Sequence, residues 1–94
     1  MDTIVPLLQN YFKDQPVLRA YLFGSYARAS QTEGSDIDIL VEFDPQVPIG
    51  IEYVQMYLDL KDLTGKEIDL VTEQALSEYV KPTVDQEKQL IYEK

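Results

Sequence analysis

The sequence contains no cysteine and no histidine. Without cysteine, the chain can form neither disulfides nor thiolate metal sites. Without histidine, it has no imidazole for acid–base catalysis and no zinc site of the usual kind. Any chemistry that the chain performs must therefore depend on carboxylates, hydroxyls and backbone groups.

Basic residues are scarce. The chain has 8 Lys and Arg residues against 17 Asp and Glu residues, which gives a net charge of −9. Nucleic-acid binding depends largely on Lys and Arg that neutralise phosphates, so we expect no direct contact with nucleic acid. The charge favours a basic protein partner or a metal–nucleotide complex. An equally good explanation is that it keeps a small domain soluble.

Long apolar runs are also missing, so we expect no membrane-spanning segment. The first residues lack the basic region of a signal peptide, and the expected location is the cytoplasm. The chain has 94 residues, of which 45% are hydrophobic and 27% are charged. This composition is globular, and we predict one domain that spans residues 1–94.

Two acidic residues stand one position apart in an otherwise apolar stretch, Asp36-Ile37-Asp38 followed by Ile39. In a strand, alternate side chains share a face, so Asp36 and Asp38 should point the same way. Like charges side by side disfavour a strand, and a cation would remove that penalty. Two hard oxygen ligands suit Mg²⁺.

A Gly-Ser pair, Gly24-Ser25, follows an apolar strand and begins a short predicted helical stretch at 25–29. Exposed backbone N–H groups at such a turn bind anions, and glycine lets a phosphate come close. A phosphate site beside two carboxylates is the minimum equipment for metal-assisted phosphoryl or nucleotidyl transfer.

The periodicity of the chain predicts an α/β (α+β) fold, with a small mixed sheet of about three strands flanked by helices. The first helix should start after Thr3 as N-cap. In the helix near residues 50–63, the residues that recur near helical spacing are Ile51, Val54, Leu58 and Leu60 or Lys61, and Gly65 is a suitable C-terminal stop. Tyr53, Met56 and Tyr57 pack in the core or form a partner surface. Strands are predicted at 17–23, 36–43 and 67–72, a polar connection at 31–35, and two short helical pieces after Glu73.

A third carboxylate, Asp69, lies within the last predicted strand between Ile68 and Leu70. A carboxylate there is costly unless it has a partner. If this strand pairs in parallel with the one that carries Asp36 and Asp38, all three carboxylates can face one patch and hold two Mg²⁺ ions about 3.5–4 Å apart. Glu67 shares a face with Asp69 and is the alternative third ligand.

The spacing of Gly24-Ser25, ten residues, and Asp36-Ile37-Asp38 resembles the signature of polymerase β-like nucleotidyltransferases. The segments Phe23–Arg28 and Gly65–Thr72 most resemble the minimal nucleotidyltransferase (MNT) proteins of that superfamily. The resemblance implies a polymerase β-like fold with Asp36, Asp38 and Asp69 as catalytic metal ligands.

MNT proteins are typically antitoxins paired with HEPN-type ribonuclease toxins. The resemblance therefore implies a Mg²⁺-dependent adenylyltransferase that moves AMP from ATP to a tyrosine of a HEPN toxin. Gly24, Ser25 and Arg28 would bind the nucleotide, with Lys81 a weaker phosphate candidate.

Two alternative functions remain open at this stage. One is an antitoxin that masks a basic toxin surface by binding, without chemistry. The other is a nucleotidyltransferase subunit that acts on a small molecule. Relatives commonly have glycine where this chain has Ala29, and alanine would be strained there if the position needs a positive φ.

Overall fold

The computed structural model describes residues 4–32 and 34–94. The predicted N-cap Thr3 lies outside the described residues, as does Glu33 of the predicted polar connection. The elements are α1 (Ile4–Phe12), β1 (Val17–Phe23), α2 (Gly24–Ala27), β2 (Ile37–Phe43), α3 (Ile51–Thr64), β3 (Ile68–Val71), a 3₁₀ turn (Glu73–Ala75), α4 (Lys81–Glu87) and β4 (Gln89–Glu93).

The strands form one mixed sheet in the order β3-β2-β1-β4. β1 pairs antiparallel with both β2 and β4. β2 and β3 pair in parallel, with α3 as the connection between them, which confirms the predicted strand–helix–strand unit. The α/β class is confirmed, but the sheet has four strands rather than about three.

The fourth strand, β4, was missed because the sequence after Glu73 predicted only two short helical pieces. Residues 89–93 pair instead with β1, where Tyr92 lies opposite Ala20 and Ile91 is buried. The partner strand is some 70 residues earlier in the chain. A short strand of this kind is defined by distant hydrogen bonds rather than by its own sequence pattern.

The end of α3 is set by Gly65, as the sequence indicates. Gly65 has a φ of 69° in the left-handed region, and its N–H donates a hydrogen bond of 2.9 Å to the Lys61 carbonyl. Glycine takes this conformation without the steric penalty of a Cβ, which is why helices commonly stop there.

The hydrophobic core lies between one face of the sheet and helices α1 and α3. Its central side chains include Leu8, Phe12, Leu22, Ile39 and Leu60, all fully buried. Because side chains alternate along β2, the neighbours of Ile39 point to the opposite face. That second face carries a smaller apolar cluster around α4 and, beside it, the acidic residues.

Helix α3 corrects part of the predicted stripe. Ile51, Val54 and Leu58 are 80%, 54% and 50% exposed, whereas Leu60 is buried on the opposite side of the helix, together with Met56. The prediction was wrong for the first three residues because α3 is apolar on two opposite faces. Helical spacing identifies both faces, and only the packing decides which one meets the sheet.

The two tyrosines next to Met56 take part in that packing. Tyr53 and Tyr57 are half-buried against the core, and the Tyr53 ring lies 6.2 Å from the Phe43 ring. Their bulk fills the space between α3 and the strands. Of the two interpretations left open for these tyrosines, core packing is confirmed.

None of the helices in the described part of the chain is both long enough and apolar enough to span a membrane.

Candidate active site

Asp38 and Asp69 lie side by side on the second face of the sheet. They are direct partners in the parallel register of β2 and β3. Burial raises the pKa of Asp38 to about 6, and the negative charge of Asp69, a hydrogen bond with Asp69 and the charge of Asp36 add to this. Asp38 therefore binds a proton more readily than an isolated carboxylate does, and a cation beside Asp38 and Asp69 would relieve their repulsion.

Asp36 stands just before β2, which begins at Ile37 rather than at Asp36. Its side chain is exposed, and it is near enough to Asp38 to raise that residue's pKa. Asp69 is also exposed, on the edge strand β3. The three predicted carboxylates thus share one region of the second face.

These donors fit a hard divalent cation by their chemistry, since all are carboxylate oxygens and their mutual repulsion is relieved by positive charge. As they stand, no three acidic side chains within residues 4–32 and 34–94 are close enough to enclose an ion. Asp38 and Asp69 form the convergent pair, and Asp36 would have to turn toward them to complete a three-carboxylate set.

Gly24 lies directly against Asp38. Its φ is +69°, and a Cβ built on it would be 2.1 Å from Asp38 Oδ2. No real Cβ approaches an oxygen so closely, so any other residue would displace the carboxylate. The sequence predicted that this glycine admits a phosphate; in the structure, the side of its Cα where a Cβ would stand is taken by Asp38.

Ser25 follows in the first turn of α2 and is half-buried. Its carbonyl accepts a hydrogen bond of 2.9 Å from the Ser30 N–H, which folds the chain back after α2. Ala29 lies in this return with a φ of 55°. The position therefore does need a positive φ, and alanine is strained there.

Arg28 caps the end of α2, and its Nη1 lies 2.8 Å from Glu87 Oε2 on α4. Its positive charge is close enough to lower the pKa of Asp38. A second link from the same region joins Gln89 Nε2 to the Ala27 carbonyl at 2.9 Å. Sequence reasoning missed Glu87 and Gln89, because no local pattern connects them to α2.

Glu67, the alternative third metal ligand, and Lys81, the weaker phosphate candidate, form ion pairs with other residues. Glu67 Oε1 lies 2.9 Å from Lys61 Nζ, and its other oxygen accepts a 3.4 Å hydrogen bond from the Tyr57 hydroxyl. This places Glu67 against α3 rather than beside Asp38. Lys81 pairs with Glu73 at 2.8 Å and with Asp85 at 3.2 Å.

Tyr53 is an unexpected neighbour of the site. Its hydroxyl donates a hydrogen bond to the Leu70 carbonyl at the outer edge of β3. Burial, followed by the charge of Asp69, raises the pKa of this tyrosine. Tyr53 therefore anchors the strand segment that holds Asp69.

The chain matches the family described as "Polymerase beta, Nucleotidyltransferase" over residues 6–94. It belongs to this family, which confirms the resemblance drawn from its motifs.

Among curated proteins it is similar to "Putative protein adenylyltransferase MJ1379" of Methanocaldococcus jannaschii. The two are 45% identical over 73 residues, which cover 76% of this chain and 71% of that protein.

Two solved structures share the fold. One is a crystal structure of a toxin–antitoxin with AMP-PNP, with a TM-score of 0.79 at 23% identity, covering 96% of this chain and 73% of that one. The other is described as a tri-AMPylated Shewanella oneidensis HEPN toxin in complex with MNT antitoxin. Its TM-score is 0.63 at 22% identity, and the match covers 99% of this chain and 69% of that one.

Proposed function

We propose that this chain is an antitoxin and a Mg²⁺-dependent protein adenylyltransferase, acting in the cytoplasm on a tyrosine of a HEPN-type toxin with ATP as AMP donor. The single observation that carries the proposal is the pairing of Asp38 and Asp69 across two parallel strands, with Asp38 set against Gly24. The names of the similar proteins support the same reaction class.

In this proposal, Asp36, Asp38 and Asp69 would hold two Mg²⁺ ions. Bound there, the ions would supply positive charge that neutralises the phosphates and lowers the pKa of the attacking hydroxyl. The turn at Gly24-Ser25 binds the β- and γ-phosphates through backbone N–H groups and the serine hydroxyl. Arg28 exchanges its Glu87 partner for phosphate oxygen. These residues position the reactants and stabilise charge.

The reaction joins the tyrosine oxygen to the α-phosphorus while the bond from that phosphorus to the β-phosphate oxygen breaks. Pyrophosphate leaves on the side of the Gly24-Ser25 turn, and the phenolic proton passes to water. The attacking and leaving oxygens stand in line through phosphorus, as in phosphoryl transfer generally.

The test is to incubate the chain with ATP, Mg²⁺ and its cognate HEPN protein and to weigh the HEPN protein by mass spectrometry. We expect the mass of one or more AMP units to be added, and replacement of that tyrosine by phenylalanine to abolish the addition. An unchanged mass while ATP stays intact would remove the enzymatic function.

The net charge of −9 favours a second candidate, an antitoxin that neutralises a basic toxin by binding alone. The double substitution Asp36→Ala and Asp38→Ala separates the two. An enzyme loses neutralisation, whereas a binder keeps it. Transfer to a small molecule is a separate prediction, which a screen of acceptors with labelled ATP would test.

A further inference from the structure

β3 lies at one edge of the sheet and carries one of the two paired carboxylates. It has only four residues, Ile68–Val71, so few backbone hydrogen bonds join it to β2. Asp69 is the direct partner of Asp38 in this register, and its charge is one of the causes that raise the pKa of Asp38. Like charges opposite each other destabilise strand pairing. Unless a cation lies between them, the two carboxylates therefore push β3 away from β2.

The inner edge of β3 is the edge that pairs with β2. The Ile37 N–H donates a hydrogen bond of 2.9 Å to the Glu67 carbonyl, just before β3 begins. Alternate residues of a strand direct their backbone groups to the same edge, so those of Asp69 and Val71 also face β2. The backbone groups of Leu70 face the outer edge, with which no strand pairs in residues 4–32 and 34–94.

Helix α3 holds this outer edge through one side chain. The Tyr53 hydroxyl donates a hydrogen bond to the Leu70 carbonyl. Leu70 is only 6% exposed, so water has little access to this carbonyl if the tyrosine hydroxyl is removed. The Tyr53 ring packs with its centroid 6.2 Å from that of Phe43, which restricts where the hydroxyl can lie. β3 is thus held by β2 on one edge and by Tyr53 on the other.

We infer that Tyr53 is a positioning residue for the candidate metal site: its hydrogen bond to β3 keeps Asp69 opposite Asp38 against the repulsion between the two carboxylates. The two oxygen ligands are then already in place when a divalent cation binds, and less binding free energy is lost in ordering them. Tyr53 acts through the backbone of β3 and not as a ligand. This inference rests on the proposed function, because it gives Tyr53 a role in metal binding.

Tyr57 provides a matched control. It lies one turn after Tyr53 on α3 and packs against the same core. Its hydroxyl donates a 3.4 Å hydrogen bond to the Glu67 side chain, not to the backbone of β3. Tyr53→Phe and Tyr57→Phe each remove one hydroxyl and keep the ring, so both variants keep the packing of α3.

The first measurement is the affinity of the full chain for Mn²⁺ alone, from the electron paramagnetic resonance signal of the free ion. We expect Tyr53→Phe to weaken Mn²⁺ binding about three- to tenfold, the loss that one hydrogen bond explains, and Tyr57→Phe to bind as the wild type does. An unchanged affinity in Tyr53→Phe would overturn the inference. Equal losses in the two phenylalanine variants would also overturn it, as would a wild type that binds no Mn²⁺.

The second measurement separates positioning from general support of the fold. Hydrogen exchange of the Asp69 and Val71 amides is followed by NMR in EDTA at about pH 8, where both carboxylates are charged. We expect faster exchange in Tyr53→Phe than in the wild type. The acceleration should be smaller when both proteins also carry Asp38→Asn, since that change removes the repulsion. The same acceleration in both backgrounds would show that Tyr53 only supports the strand.

AMP transfer to the HEPN protein is measured on the same proteins, so that the two proposals can fail separately. If the wild type transfers no AMP while the Mn²⁺ and exchange results are as expected, the proposed function fails and the positioning role of Tyr53 stands. If the wild type transfers AMP and Tyr53→Phe binds Mn²⁺ as the wild type does, the positioning role alone is refuted.

Discussion

At the scale of single residues, two glycines share one backbone conformation but differ in their surroundings. Gly24 and Gly65 both have a φ of +69°. A Cβ at Gly24 would collide with Asp38, whereas nothing lies within 4 Å of a Cβ at Gly65. Substitutions at these two glycines therefore distinguish the cost of backbone strain from the effect of displacing Asp38.

We expect Gly24→Ala to lower AMP transfer at least 100-fold, since it displaces Asp38, and to cost more stability than the strain of about 1–2 kcal/mol for alanine in the left-handed region. Gly65→Ala should show that strain alone, with transfer close to wild type. Steady-state rates and urea denaturation measure the two effects. Equal activity in the two variants would contradict the role of Gly24.

Ala29 has a φ of 55°, in the left-handed region where glycine fits better than alanine. We expect Ala29→Gly to stabilise the protein by about 1 kcal/mol, because the steric strain of the Cβ exceeds the entropic cost of glycine. Ala27→Gly, inside α2, should destabilise it instead. Thermal unfolding of both variants tests this prediction. A melting temperature of Ala29→Gly below that of the wild type would show that Ala29 is not strained.

Asp38 makes stability depend on pH. Its pKa is raised from 3.8 to about 6, so the folded chain binds this proton more tightly than the unfolded chain, and metal-free stability should fall as the pH rises from about 4 to 6. Because the carboxylate is partly solvated, we expect a loss of about 1 kcal/mol.

Asp38→Asn should flatten this part of the curve, and Mg²⁺ should restore the stability of the wild type above pH 6. Urea denaturation in EDTA and in Mg²⁺, across this pH range, provides the measurement. If the free energy of unfolding of the wild type and of the variant changed with pH in parallel, Asp38 would not be the titrating group.

At the scale of elements, α3 carries two apolar faces of which one meets the sheet. Leu60 is fully buried, whereas Leu58 is 50% exposed two positions away. Leu60→Ala should therefore cost about 2–5 kcal/mol through a lost contact and a cavity, and Leu58→Ala less than about 1 kcal/mol. Chemical denaturation of the two variants tests this, and similar losses would mean that α3 is rotated from the orientation described here.

At the scale of the whole molecule, charge governs encounter with other proteins. A chain with a net charge of −9 attracts a basic partner over distances of about a Debye length, roughly 10 Å at 0.1 M salt. We expect the association rate with the HEPN protein to fall at least tenfold as salt rises from about 0.05 to 0.5 M, with a smaller change in dissociation. Stopped-flow fluorescence or surface plasmon resonance measures both rates. An association rate that does not depend on salt would contradict electrostatic steering.

Much of the site, and part of the fold around it, could be predicted from the sequence because the features concerned are local. The Gly24-Ser25 turn, the alternation around Asp38 and the helical stop at Gly65 each depend on a few neighbouring residues. Asp69 is far from these residues in the chain, and its position was predicted from the parallel pairing of two strands connected by a helix. The register of β2 and β3 places Asp69 opposite Asp38.

The sequence by itself thus determined the family, the acidic residues and the order of most elements, because short-range sterics and periodicity encode them. Tertiary structure decided what depends on distant partners: that residues 89–93 form β4 against β1, which face of α3 is buried, that Glu87 holds Arg28, and that Asp38 occupies the space beside Gly24. Each of these is a contact between segments far apart in the chain, and side-chain packing, rather than any local pattern, selects it.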